Sequence, residues 1–394
     1  EENSDLGQFE AMNEIYVQLE ADLGDETESG ITNRISRFFN DLRSLSTEPA
    51  SVPLRAAIRE SANSVVTRFH SMRENADAMV SDMDRRIEGS VNDINSLTKK
   101  IADLNQRIVD VEVVQGSFAN DERDSRDMAL RDLAKHVSVQ VTELENGGIN
   151  VSAGRLGVLV DPTSNYELAA LRGPDDNHNA AMKIHTKEFG RLGKDVTASV
   201  SGGSLGGLIK ARDTVLPKVI NKIDTLAYGF SNSLNSVHRQ GYGTNGQTDV
   251  ALFEVSGGVK GAAEKIRLSD AVAGDLSAIA AGSISSGKGD NRNLLALADM
   301  EDAAVFENGQ ANFQNYMASL VGTVGVEARA TRDSLETQDH LLSQLEQIRE
   351  ETSGVSLDEE AMNMLKFQKS FDANAKMIQV ADSMMETVLN LKRF

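Results

Sequence analysis

The stretch LRAAIRESANSVVTRFHSMRENADAMVSDMDRRIEGSVNDINSLTKKIADLNQRIVDV, Leu54 to Val111, decides the fold class. Apolar residues return every third or fourth position: Leu54, Ile58, Ala62, Val65, Phe69, Met72, Ala76, Met79, Met83, Ile87, Val91, Ile94, Ile101, Leu104, Ile108 and Val111. That spacing lines one face of an α-helix. Only the step at Thr98 is polar, with Leu97 beside it. A single helix of about 60 residues would run roughly 90 Å. A rod of that length calls for partners along its side, as in a coiled coil. A break near Gly89 and Ser90 is the competing expectation, because glycine and serine weaken a helix interior. Pro53 suits a first helical turn.

Upstream, Leu6, Phe9, Met12, Tyr16, Leu19 and Leu23 predict a helix that stops at Gly24 and Asp25. Ile31, Ile35, Phe38, Leu42 and Leu45 predict a second one following Ser29. Downstream, Asn120 and Asp121 read as the cap of a helix carrying Met128, Leu130 and Leu133. After His136 the period drops to two, at Val137, Val139 and Val141, which is a strand signal. Further strands are expected at Ile149 to Val151, Leu156 to Val160, Tyr166 to Leu171 and Ala181 to Ile184. Helix returns near Pro217, with Val219, Ile223, Leu226, Phe230, Leu234 and Val237 on one face. A Gly-, Ala- and Ser-rich stretch from Gly241 to Gly289 predicts loosely organised β and loop structure, with strands at Leu252 to Val255 and Lys265 to Leu268. The helical pattern resumes from Leu294 to about Ile348. Ser356-Leu357-Asp358-Glu359 forms a capping box, opening a last helix from Leu357 to about Leu391.

The expected fold is therefore mainly α with a small β unit, built on an elongated helical trunk of long helices from both ends of the chain. Six segments follow: 1–135 as the N-terminal half of the trunk, 136–200 as the β unit, 201–240 as loop and helix, 241–290 as β and loop, 291–353 as the C-terminal half of the trunk, and 354–394 as a terminal assembly helix.

The composition is acidic, with 60 Asp and Glu against 40 Lys and Arg and a net charge of −20. This argues against nucleic acid, which needs clustered cations, and against an anionic membrane surface. There is no cysteine, so no disulfide and no thiolate chemistry. Aromatics are 5% of the chain, so the core is expected to rely on Leu, Ile, Val, Met and Ala. Residues His70, His136, His178, His185, His238 and His340 show no metal-binding spacing and read as surface or loop histidines. The acidic run Asp121, Glu122, Asp124 and Asp127 reads as an ion-paired helix face beside Arg123, Arg126 and Arg131. The run SGGSLGGLIKARD, Ser201 to Asp213, invites a phosphate-loop reading. It lacks the Gly-Lys-Ser/Thr ending, so a close-packed turn entering a helix is the preferred expectation. No catalytic, cofactor or metal site emerges, and no enzyme is expected.

The terminal run EEAMNMLKFQKSFDANAKMIQVADSMMETVLNL, Glu359 to Leu391, is apolar around much of its circumference. Leu357, Met364, Phe367, Phe371, Ile378, Met385 and Leu389 are the candidate assembly interface. Met362, Leu365 and Met384 lie on the other face. Such a helix needs partners on more than one side.

This run closely resembles the C-terminal helix of flagellar rod, hook and hook-associated proteins, through Phe367, Gln368, Phe371, Ala373, Asn374, Ala375, Lys376, Ile378, Asp382, Met385 and Leu389. Ser201 to Asp213 resembles the SGG-x-LGGL…RD segment of the hook–filament junction family. Asn120-Asp121 with Arg126-Asp127 and Leu130 resembles that family's ND…RD…L segment. Gly289-Asp290-Asn291 ahead of Leu294 and Ala296 resembles its GDN…LA segment. The resemblance implies a structural subunit that assembles with copies of itself in a ring at the distal end of the hook. It implies contacts with hook protein, a second junction protein and flagellin, an export chaperone, export by the flagellar type III pathway, and an extracellular location. Family members begin with a helix ahead of the segment matching Glu1, so a truncated or processed chain is expected. Flagellin or the second junction protein is the near alternative. A chemoreceptor-like signalling coiled coil is a more distant one, disfavoured by the β unit that follows His136.

Overall fold

The computed structural model describes residues 2–24, 30–162, 164–173, 181–188, 191–285, 289–353 and 357–391. The chain divides into two compact units, Glu1–Gln338 and Asp339–Phe394.

In the first unit, α1 (Glu2–Leu23), α2 (Ile31–Thr47) and α3 (Val52–Val109) follow the predicted periodicity. The α3 helix is unbroken over 58 residues, about 87 Å at 1.5 Å per residue. Gly89 lies inside it without ending it, with Ile87, Val91 and Ile94 on either side buried in the core. Its end is a wider π turn, Asp110–Gln115, closed by Gly116 in the left-handed region at φ 68°. The helix α4 (Asn120–His136) starts one residue ahead of the expected cap. Ala119 holds the cap position, and its N–H is satisfied by Glu112 Oε1 at 3.3 Å rather than by Asn120 or Asp121.

The β region is two three-stranded antiparallel sheets. One has the order β1 (Gln140–Glu143), β2 (Ile149–Ala153), β3 (Gly157–Val160); the other β4 (Glu167–Arg172), β5 (Met182–Glu188), β6 (Arg191–Asp195). The sixth strand has no apolar alternation and escaped the sequence reading; its residues are exposed.

The next helix begins well before Pro217. Helix α5 (Gly203–Lys210) runs through a π turn, Ala211–Val215, into α6 (Leu216–His238). A proline inside an α-helix clashes with the preceding turn; the wider turn just ahead of Pro217 accommodates it.

The Gly-, Ala- and Ser-rich segment is not loosely organised. It contains β7 (Phe253–Glu254) paired with β8 (Arg267–Leu268), and two short helices, α7 (Ala262–Lys265) and α8 (Asp270–Gly274). Leu252, Phe253, Ala262, Ala263, Ile266, Val272, Ala278, Ile279 and Ala281 are buried in the main core. Small residues here permit close approach to the helices. The C-terminal trunk is interrupted: α9 (Arg292–Ala298) is followed by a turn region with a bridge between Phe306 and Ala311, before α10 (Phe313–Ser353).

The centre of the unit is aromatic after all. Phe38, Phe39, Phe69, Phe230, Phe253, Phe306 and Phe313 converge from α2, α3, α6, β7, the turn ahead of α10 and α10 itself, with Phe230 5.2 Å from Phe253 and 5.5 Å from Phe313. Low aromatic content did not prevent concentration at one crossing point. Along α10, Tyr16 donates to Glu327 Oε2 at 2.7 Å and Gln338 Nε2 donates to the Glu2 carbonyl at 3.2 Å, so α1 runs antiparallel to it.

The second unit holds the end of α10 from Asp339 and α11 (Leu357–Leu391). Ser356 of the expected capping box and the side chain of Glu359 lie outside the described residues.

Candidate assembly surface

Two sets of residues stand apart: those that lock the first unit, and those on the surface of α11.

Three polar residues on α3, Asp84, Asn95 and Asn105, are 11 and 10 positions apart. Three helical turns take about 10.8 residues, so they share a face. Each grips a strand backbone. Met182 N–H donates to Asp84 Oδ1 at 3.2 Å. Asn95 donates to the Leu168 carbonyl and accepts from its N–H, both at 2.8 Å. Asn105 does the same for Ile149, at 2.9 and 3.3 Å. An asparagine side chain carries one donor and one acceptor group, matching a peptide unit. The long helix is thus a spine on which both sheets hang.

The segments that carry the family resemblance supply the clamps. Arg212 is buried and donates to Asp84 Oδ1 at 2.9 Å and to the Met182 carbonyl at 2.7 Å, while its other edge meets Asp213. Burial opposes its charge, but Asp213 and Asp84 outweigh that and hold its pKa above the ordinary value. Arg126, also buried, donates to Asn105 Oδ1 at 3.1 Å and to the Gly147 carbonyl at 2.8 Å. Asp290 caps the turn ahead of α9 by accepting from the Ser283 N–H at 2.8 Å, and Asn291 donates to the Ser46 carbonyl at 2.7 Å.

The glycine-rich run is a packing joint. Gly202 and Gly203 both have φ of 64°. A Cβ on Gly203 would overlap the His136 carbonyl, one on Gly207 would sit 2.7 Å from the Gln8 carbonyl, and one on Gly7 would overlap the Lys135 carbonyl. The start of α5 is therefore filled by α1 and the end of α4, with no space for a phosphate. Arg123 and Arg126, expected to pair with Asp121, Glu122, Asp124 and Asp127 along α4, turn elsewhere: Arg123 to Glu112 and Glu143, Arg126 to Asn105 and Gly147. Arg123 donates to Glu112 and pulls its carboxyl down to about 2. Thr197 hydroxyl and N–H hold Asp195 below the usual carboxylate range. These are ion pairs and turn caps. Among the described residues no group of three or more His, Asp or Glu side chains is placed to hold a metal ion. Among them, too, no helix is long and apolar enough to cross a membrane.

One histidine departs from the surface expectation. His238 is 0% exposed at the end of α6. Its Nε2 accepts from the Ala280 N–H at 2.9 Å, and its Nδ1 faces the Val250 carbonyl at 2.7 Å. Burial holds its pKa down at about 4. Nothing in its local sequence distinguishes it from the other five.

The surface of α11 is different in kind. Phe371 is 75% exposed, Phe367 73% and Met364 64%; Ile378 and Met385 are also exposed. At 100° per residue these five fall within about 40° of Phe371 on either side, so the helix gathers them in one stripe. Leu357 and Leu389 belong to α11, but their side chains lie outside the described residues. Met362, Leu365 and Met384 are exposed on the remaining surface, joined by Met377, Val380 and Val388, which the sequence reading left out. Leu341, Leu345 and Ile348 on the end of α10 are exposed as well. A helix apolar on two sides is incomplete without neighbours.

The family model described as "Flagellar hook-associated protein FlgK helical domain" matches residues 16–253. A second, "Flagellar basal body rod FlgEFG protein C-terminal", matches residues 346–391. Flagellar hook-associated protein 1 of Bacillus subtilis is 27% identical across 99% of this chain and 82% of its own length. The protein of that name in Escherichia coli is 24% identical across 92% of this chain and 81% of its own. The solved structure of the flagellar hook junction protein FlgK from Burkholderia pseudomallei superposes with a TM-score of 0.79 at 16% identity, over 90% of this chain and 99% of that one. The fold is thus shared, and with the first match spanning more than half of its residues, this chain belongs to the FlgK family of flagellar hook-associated proteins.

Proposed function

We propose that this protein is a non-catalytic structural subunit of the flagellar axis, seated where hook meets filament, and that α11 is the element through which it assembles. The observation that carries this reading is the contrast within one chain. Helices of the first unit bury their apolar stripes, whereas Met364, Phe367, Phe371, Ile378 and Met385 leave theirs exposed. Burying a large apolar side chain stabilises by about 1.5–3 kcal/mol. Five such residues on each subunit are enough to offset much of the roughly 4–15 kcal/mol cost of association.

Leu357 and Leu389 are assigned to the same interface from their spacing in the sequence. The partners are copies of this chain in a ring, hook protein on one side, and a second junction protein and flagellin on the other. Before assembly an export chaperone covers the helix, and the chain reaches an extracellular position by the flagellar type III pathway. No nucleic acid, membrane or cofactor enters this scheme. The match over 346–391 is common ground with rod proteins, so the position along the axis rests on the match over 16–253.

The test is binding of the whole chain to isolated hooks. The double substitution Phe371→Asp and Ile378→Asp is expected to abolish binding while leaving thermal unfolding of the first unit unchanged. Binding of the double variant at the native level would contradict the assignment, and binding of the native chain to filament stubs in preference to hooks would move it to another axial position.

A further inference from the structure

Asp224, Asn235 and His70 hold the middle of the 241–282 segment to the helical body, and a separate polar knot holds the stretches around Val250 and from Leu276 to Ala280. Because the Ala280 N–H donates to His238 Nε2, that nitrogen carries no proton; the ring proton is on Nδ1, donating to the Val250 carbonyl. Next to it the buried Arg55 guanidinium, from α3, donates to the carbonyls of Leu276 at 3.1 Å, Ile279 at 2.8 Å and Pro49 at 2.7 Å. Asn293 from α9 donates to the Ala280 carbonyl at 3.0 Å. The return turn is under strain: Asp249 has φ of 56°, held by its N–H to the Arg239 carbonyl and its carboxylate to the Arg239 guanidinium, each at 3.0 Å.

We propose that His238 is an acid-sensitive latch, whose protonation releases the 249–251 and 276–282 stretches from the end of α6 and from Arg55 of α3. A second ring proton would turn Nε2 from acceptor to donor, facing the Ala280 N–H donor across 2.9 Å. It would also place a cation beside Arg55, with Arg239 on its own helix adding to the repulsion. Facing carboxylates do not compensate, since Asp249 is engaged with Arg239 and Asp275 accepts from Ser277 and Asn245. The relaxing Asp249 turn favours the released state.

The direction follows from proton linkage. The latched ring takes its proton at about 4 and a solvated one at about 6.5. The released form therefore binds the extra proton first. The latch holds fully above about pH 6.5, weakens as the pH falls toward 4, and changes no further below that.

The experiment is hydrogen exchange of the whole chain between pH 7.5 and 4.5, corrected for the pH dependence of chemical exchange. Protection of peptides spanning 249–251 and 276–282 is expected to fall about 70-fold, while peptides from the middle of α3 hold theirs. His238→Gln, whose amide can still donate and accept, is expected to flatten that fall. If this variant does not fold, the ring resonances of the native chain give the same test: the His238 titration and the loss of Ala280 protection must follow one curve. Constant protection in the native chain, an undiminished fall in the variant, or two separate curves would overturn the latch.

Discussion

Arg212 shows what single residues do here. It is a buried cation whose partners are a helix carboxylate, a strand carbonyl and its own neighbour. Replacing it with methionine keeps volume but strands Asp84, and breaking a buried pair costs about 3–5 kcal/mol. Urea unfolding of Arg212→Met should show a loss of that size, and adding Asp84→Leu should recover part of it. Gly203→Ala should also destabilise, since the new methyl meets the His136 carbonyl at a φ that disfavours alanine. A loss below about 1 kcal/mol would mean the joint is looser than described. Such residues are only partly legible beforehand. The glycine run was readable as a tight turn because glycine has a local signature. Asn105 and His238 were not, because their roles depend on strands and loops tens of residues away.

At the scale of elements, legibility follows periodicity. Helix α3 could be drawn from its apolar returns, since most of them are buried along the rod. Helix α5 was legible only as a tight turn entering a helix, because its glycines carry no stripe, and β6 was not legible, because both its faces are wet. Gly89 tests how far packing rather than propensity sustains α3. No atom lies within 4 Å of where its Cβ would be, so Gly89→Ala should stabilise by about 0.5–1 kcal/mol in urea unfolding. A destabilised variant would point to a bend that glycine serves. Asn105→Leu should cost about 2–4 kcal/mol, by removing the side-chain acceptor of the Ile149 N–H and one of the two acceptors of the buried Arg126, and should raise exchange in β2 before α3.

For the whole molecule, the candidate surface was readable as residues but not as an arrangement with neighbours, because in the proposed assembly its partners are other chains. Removing Leu357 to Phe394 should leave the melting of the first unit intact while preventing incorporation into hooks, checked by circular dichroism and by pull-down on hook preparations. Loss of the first unit's fold would instead make α11 part of its core. The chain has no cysteine, so Phe371→Cys places one thiol in the middle of the stripe. The decisive measurement is its rate of reaction with a maleimide, free and after capture on hook tips. Burial between subunits predicts fast labelling in the free chain and at least a roughly tenfold slowing on the hook, equivalent to about 1.4 kcal/mol of protection. Equal rates in both states, with the protein stably bound, would contradict the account.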